Sequence, residues 1–362
     1  MTDEKLAVLR RGPADYEVAA AGASSDTAQF AETDGGWLRR IQTFLNEYPT
    51  TVPLLVLLLG VVLFSWISGR TFLHPYNLSL ILQQVTIIGT VGMAQTLIIL
   101  TAGIDLSVGV VMILTTVVAG RAAVSFGLPA EFIFAIGLSV GLGCGLLNGL
   151  LVAVFRLPPF IVTLGTFAMI GAMVLYVSGS QTISGRELAE TTPSLLLTGT
   201  SFRIGGAQLT VGSILLLVLA AVLWFVLART AFGRHVHAVG DAPDAARLSG
   251  INVRNTLLAV YVVAGAICAF AGWLMIGRVG AVSPTSGALA NLDSITAVVI
   301  GGTSLFGGRG SVLGTLIGAL IVGVFRNGLA LSGADILWQE FAVGLLVILA
   351  VLLDQWIRKV SQ

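Results

Sequence analysis

The sequence predicts an all-α membrane protein of about ten transmembrane helices, and three observations carry that prediction. Hydrophobic residues make up 56% of the 362-residue chain and charged residues only 10%, against about 25% charged in soluble globular proteins. Apolar runs of the length that crosses a bilayer, about 20 residues each, recur from residue 52 almost to the C-terminus. Many of the 44 glycines fall at helical spacing inside those runs, where small residues let helices approach in lipid. The same composition excludes intrinsic disorder, which needs low hydrophobicity and high charge. A net charge of +1 leaves no concentrated basic face for nucleic acid.

Residues 1–48 form a polar cytoplasmic tail, without the apolar core that a cleaved signal peptide carries near its start. Its end, from Gly36 to Tyr48, has the aromatic and basic edge of an interfacial helix. The transmembrane domain, 49–358, then holds apolar runs at 52–69, 78–100, 105–125, 131–155, 160–178, 209–228, 256–277, 291–306, 312–330 and 336–354, with 359–362 left as a C-terminal tail. The stretch Thr101-Ala102-Gly103-Ile104-Asp105-Leu106-Ser107 is too short for a relaxed hairpin and reads as the break in a discontinuous helix. The eighth run is also short. Irregular backbone at that depth needs protein or a water-filled path around it.

Thirteen of the nineteen Lys and Arg residues fall on one set of connections, which places that side, and both termini, in the cytoplasm. The 179–208 connection is then external and the 229–255 loop cytoplasmic. Five runs lie on each side of 179–208, and an odd number inverts the second half relative to the first. The triplets Asn148-Gly149-Leu150 and Asn327-Gly328-Leu329 occupy matching runs of the two halves, as an inverted repeat of five plus five spans requires. Gly137, Gly141, Gly145 and Gly149 form a stripe on the fourth run, and Gly310, Gly314 and Gly318 begin a similar one on the ninth.

Scarce residues exclude further classes. The two lysines, Lys5 and Lys359, do not follow a Gly-rich loop, so the chain has no phosphate-cradling motif and hydrolyses no nucleotide by itself. His74, His235 and His237 do not combine with Cys144 and Cys268 into a metal site. His235 and His237 read as a solvated pair on a polar loop, and the two thiols as packing residues. No catalytic residue and no bound metal are expected. Ionisable groups inside the runs are few, among them Asp105, Asp293, Arg326 and Glu340, with Glu131 and Asp354 near run ends. Each is costly in hydrocarbon and so faces the bundle interior or water. Asp105 and Asp293 stand at helix starts beside Ser107 and Ser294, where a carboxylate caps free amides and meets the positive dipole end; the other reading is a polar lining for a solute.

The loop after the sixth run contains a short helix of its own. Pro243 suits its first position, Asp241 and Asp244 its positive end, Arg247 its last turn and Gly250 its stop. Two turns alone in water are marginal, so this helix either docks on a partner through Ala245, Ala246 and Leu248 or lies on the membrane face.

The blocks Thr101 to Gly109 (TAGIDLSVG), Asn148-Gly149 with Leu157 to Gly165, the 233–251 loop, and Leu292 to Gly318 with its Gly301-Gly302-Thr303-Ser304 and Gly307-Gly308-Arg309-Gly310 resemble the membrane permease of carbohydrate-type ABC importers, the ribose/xylose/autoinducer-2 branch, over roughly residues 50 to 358. The long polar head and Asp241-Ala242-Pro243, where that family often shows Gly or Asn, depart from it. The resemblance implies a transport subunit of the bacterial inner membrane, working as two permease copies with separate ATPase subunits and a solute-binding protein. It makes Gly240, Asp241, Asp244, Ala245, Ala246, Arg247 and Gly250 the ATPase-coupling loop. ATP and Mg belong to the partner subunits, and this chain binds no cofactor. The cargo is a small sugar, with the binding protein docking on 179–208 near Gln181, Arg186, Glu187 and Glu190. Gln95, Asn148, Thr163 and Thr296 are the candidate path residues, because an uncharged sugar needs hydroxyl-bonding groups without full charge. Competing readings are a branched-chain amino-acid permease, an ion-coupled carrier using Asp105, Asp293 or Glu340, and an assembly protein without cargo.

Overall fold

The computed structural model describes residues 50–358; the tails at 1–48 and 359–362, and the interfacial helix expected over 36–48, lie outside the described residues. Its helices are α1 (Thr51–Ser68), α2 (Pro75–Leu100), α3 (Val108–Phe126), α4 (Ala130–Ala153), α5 (Pro159–Ser178), the short α6 (Gly185–Thr191), α7 (Val211–Arg229), α8 (Ala231–Asp241), α9 (Pro243–Leu248), α10 (Val253–Val279), α11 (Ala290–Ile300), α12 (Val312–Leu331) and α13 (Ile336–Arg358). Among the described residues, eight helices are long and apolar enough to cross a membrane, and α11 and the Ile336–Leu352 part of α13 supply shorter apolar pieces. This is the all-α multi-pass architecture that the composition predicts.

Helix boundaries follow local chemistry. Pro75 and Pro159 open α2 and α5 at the first helical turn, where no amide partner is lost. Thr210, Asn252 and Ser311 cap α7, α10 and α12 by accepting backbone N–H groups. Gly127, Gly179 and Gly280 close α3, α5 and α10 in the left-handed conformation.

The long helices α2 and α10 run side by side through the centre. Around them the packing repeats: α2 lies on α11 and α12 as α10 lies on α3 and α4, while α3 touches α4 and α5 as α11 touches α12 and α13. The five-plus-five repeat expected from the two Asn-Gly-Leu triplets thus takes the form of matched packing partners. On the α4–α10 seam, a Cβ at Gly141 would overlap the Gly265 carbonyl, and one at Gly145 the Tyr261 carbonyl. The fourth-run glycine stripe is therefore the contact itself. On α12, Gly314 and Gly318 meet Gly301 and Ala297 in the same way, but Gly310 precedes the helix and packs against Thr303, so the second stripe is shorter than expected.

Two connections are more ordered than the sequence suggests. The 179–208 segment folds into α6, a 3-10 turn (Pro193–Gly199) and a hairpin of β1 (Ser201–Ile204) with β2 (Ala207–Thr210). Leu188 and Leu195 bury fully there, so local hydrophobic anchors hold the cap. The 229–255 loop carries α8 as well as the expected short helix, which corrects the placing of His235 and His237 on a loop. Asp241 consequently ends α8 instead of opening α9, whose N-cap is Ala242.

Candidate functional site

Both breaks in the helix pattern are real, and they meet. After α2 ends at Leu100 the backbone runs irregularly to Val108, with Ala102 in the left-handed region at φ 60°. α11 has 11 residues, about 16 Å at 1.5 Å per residue, half of the roughly 30 Å hydrocarbon layer. The start of α11 abuts the start of α3: the Asn291 Nδ2 donates to the Leu106 carbonyl at 3.3 Å, and Gly109 leaves room for the Asn291 backbone. Two positive helix ends therefore face one another inside the bundle. Asp105 and Asp293, placed at those ends, offset that charge.

Asp105 is buried, with 3% exposure. Its Oδ1 accepts from the Ser107 amide and from Ser107 Oγ, both at 2.6 Å. These bonds close a turn onto Ser107, the N-cap of α3, so Asp105 stands just ahead of the helix and does not cap its first-turn amides as expected. Likewise α11 has no side-chain cap, and Asp293 does not cap it. Asn148 on α4 donates from Nδ2 to Ser107 Oγ at 2.9 Å and reaches Asp105 Oδ2 at 3.5 Å. Thr163 on α5 donates to the Ile104 carbonyl at 3.1 Å and accepts from the Leu106 amide at 3.2 Å. The Gln95 side chain on α2, oriented so that its nitrogen donates to the Asp105 carbonyl at 3.0 Å, accepts from the Asp105 amide at 3.3 Å. Three of the four candidate path residues thus converge on one segment, 104–107. Thr296 does not join them; it is buried on α11, three residues beyond Asp293.

Asp293 pairs instead with Arg326 of α12 at 2.7 Å, and Arg326 also reaches Glu340 of α13 at 3.0 Å. Asp105 precedes α3 and Asp293 lies in the first turn of α11, and each is tied to the following long helix, by Asn148 of α4 in one case and Arg326 of α12 in the other. Asn327 does not repeat the role of Asn148; it exchanges amide hydrogen bonds with Asn77 at 2.9 Å.

The 229–255 loop grips the break directly. A Cβ on Gly240 would overlap the Leu100 carbonyl and meet the Gly308 nitrogen at 2.7 Å. Gly308, with φ 72°, donates its amide to the Leu100 carbonyl at 3.0 Å and accepts at its own carbonyl from His237 Nδ1 at 2.9 Å. At that point α8, the turn after α2 and the turn after α11 are joined. Gly240 and Ala246 are buried against the membrane domain, whereas Asp241, Asp244, Ala245, Arg247 and Gly250 are exposed. Leu248 is 91% exposed, and Arg247 makes only a 3.8 Å contact to Asp244. The loop therefore has an inner, anchoring face and an outer, apolar-tipped face. His237, read from sequence as solvated, instead bonds the Gly308 carbonyl; the signal for its inward side is Phe232, Val236 and Val239 at helical spacing on α8.

The comparisons with known proteins identify the family. Residues 77–352 match the model of a family described as branched-chain amino acid transport system / permease component. The chain is 50% identical over 347 residues to a fructose import permease protein of Rhizobium meliloti, covering 96% of both chains. It is 37% identical to a ribose import permease protein of Bacillus subtilis over 84% of this chain and 92% of that one. It is also 32% identical to a xylose transport system permease protein of Escherichia coli, over 83% and 90%. No solved structure matches. The chain belongs to this family of multi-pass transport permeases, among the sugar import permeases it contains.

Proposed function

We propose that this chain is the transmembrane permease of an ATP-binding-cassette importer that moves a small sugar, a pentose or a hexose such as fructose, ribose or xylose, across the bacterial inner membrane into the cytoplasm. The observation that carries the reading is the two-faced coupling loop. Its inner face is fixed by Gly240 and His237 to the turns at Leu100 and Gly308, and its outer face ends in the bare Leu248. A separate ATPase subunit seated on α9 would move those turns, and with them the 104–107 segment. Shifting an inward–outward equilibrium from 1:99 to 99:1 takes about 5.5 kcal/mol of differential affinity, which ATP and Mg in the partner subunits supply; this chain itself holds no cofactor. A second permease copy completes the pathway, and a solute-binding protein docks on the capped 179–208 segment.

In the state described, the Gln95 amide, the Asn148 Nδ2 and the Thr163 hydroxyl hydrogen-bond to 104–107, while the buried Asn148 Oδ1 has no partner. Movement of that segment frees the same amide and hydroxyl groups for sugar hydroxyls. An ion-coupled carrier fits less well, since Asp293 and Glu340 already face Arg326. The amino-acid cargo in the family description is the competing substrate class.

The test is uptake into proteoliposomes holding the permease, its ATPase subunit and the binding protein, with labelled fructose, ribose, xylose and leucine. ATP-dependent sugar uptake is expected. Uptake of leucine alone, or sugar uptake that persists without the ATPase subunit, overturns the reading.

A further inference from the structure

Beside the coupling loop, a groove of about 890 Å³ opens between the α4–α5 turn, the end of α9 and the first turns of α10. It carries Arg156, Arg247 and Arg254, and no acidic residue lines it. Between the arginines the wall is apolar, as at Val152 and Leu257, and the groove runs inward as far as Tyr261. Tyr261 is buried at 2% exposure, and its hydroxyl has no hydrogen-bond partner. A buried phenol without a partner costs free energy comparable to a lost hydrogen bond, so a ligand that accepts from it is stabilised there. Arg156 sits at φ 57°, a left-handed conformation that a bulky residue rarely adopts. That conformation turns the chain sharply between α4 and α5 and sets Arg156 on the groove.

We propose that this groove binds the headgroup of an anionic phospholipid from the leaflet on the coupling-loop side. The chemistry is that of a phosphodiester with an attached acyl chain. Arginines match phosphate oxygens by paired N–H donors, the apolar wall takes the first methylenes, and the Tyr261 hydroxyl donates to the glycerol or phosphate oxygens. A free phosphate would leave the apolar wall unfilled, and a zwitterionic lipid would bring its own cation against three arginines. Because the groove touches both α9 and the Thr101–Gly103 turn, an occupying lipid braces the coupling element against the break it moves.

The experiment is native mass spectrometry of the purified full-length permease, alone and assembled with its ATPase subunit, after exchange into phosphatidylglycerol, phosphatidylcholine or inorganic phosphate. Selective retention of phosphatidylglycerol is expected. The R156Q and R254Q variants should each lower it about fivefold, and Y261F should lower it further while remaining monodisperse. Arg229 and Arg234 lie on the same side but do not line the groove, so the R229Q/R234Q protein should retain lipid normally. Equal retention of the two lipids, or an equal loss in R229Q/R234Q, overturns the proposal. So does full displacement by inorganic phosphate, which assigns the groove to the free ion, or displacement on adding the ATPase subunit, which assigns it to that protein.

Discussion

Gly240 has room for a hydrogen atom and nothing larger, because the Leu100 carbonyl and the Gly308 amide stand where a Cβ would go. Gly240→Ala should therefore lower stability by about 1–3 kcal/mol, the usual cost of overpacking a close contact. Thermal unfolding in detergent should show a depressed midpoint, and an unchanged midpoint would mean that α8 is not anchored there. Asn148 offers a second test at this scale. Removing its amide in Asn148→Ala leaves Asp105 buried with Ser107 as its remaining side-chain donor. A loss of about 1–3 kcal/mol is expected, while Asn148→Asp should lose more by adding a second carboxylate beside Asp105. The sequence shows that polar residues inside hydrocarbon must find partners, and it selects Gln95, Asn148 and Thr163 on that ground. It does not show that all three serve one seven-residue break, because their partners are largely backbone atoms of 104–107. Thr296 meets the same chemical criterion yet lies on the other half, which explains why it stands apart.

At the scale of the element, the coupling loop divides into residues that hold and residues that present. Ala245→Arg and Leu248→Ser change exposed positions of α9. Both should leave the unfolding free energy within about 0.5 kcal/mol of the parent, as surface substitutions do, and lower ATP-driven uptake several-fold. Equal uptake by both variants would remove α9 from coupling. α9 was legible from Pro243, Arg247 and Gly250 because helix stops and starts are written in Pro, charge and Gly. α8 was not, since its two histidines and Arg234 masked an apolar stripe only one residue wide. A different element-level device ties α11, α12 and α13 through Asp293, Arg326 and Glu340. Asp293 and Arg326 side chains are only 13% and 15% exposed. Arg326→Gln leaves two carboxylates facing each other and should cost about 2–3 kcal/mol. A fully buried pair broken on one side costs ~3–5 kcal/mol, and the 37% exposure of Glu340 reduces that figure. The triple change Asp293→Asn, Arg326→Gln, Glu340→Gln should recover most of the loss in the same unfolding assay.

For the whole molecule, the decisive seam is the one between α4 and α10, which joins the two halves of the repeat. No hydrophobic force draws helices together in lipid, so the seam depends on backbone approach through Gly141, Gly145 and Gly265. The same helix offers its own control. Gly143 is exposed, and a Cβ built there meets nothing within 4 Å, whereas Gly145 faces the Tyr261 carbonyl. Gly145→Leu should separate α4 from α10 and cut the yield of monodisperse permease after solubilisation by tenfold or more, since several kcal/mol of close packing are lost and about 1.4 kcal/mol is a factor of ten. Gly143→Leu, identical in the chemistry added and two residues away, should match the parent in yield and unfolding midpoint. A parental yield from Gly145→Leu would show that the halves are held by something other than this seam. The contrast also bears on transport. If the α4–α10 seam keeps the two halves of one chain together as a rigid unit, the motion proposed to enter through α8 must be taken up at the 101–107 break and, in the proposed assembly, at the junction with the second copy. Those are the places where backbone is irregular, or where lipid and protein can exchange.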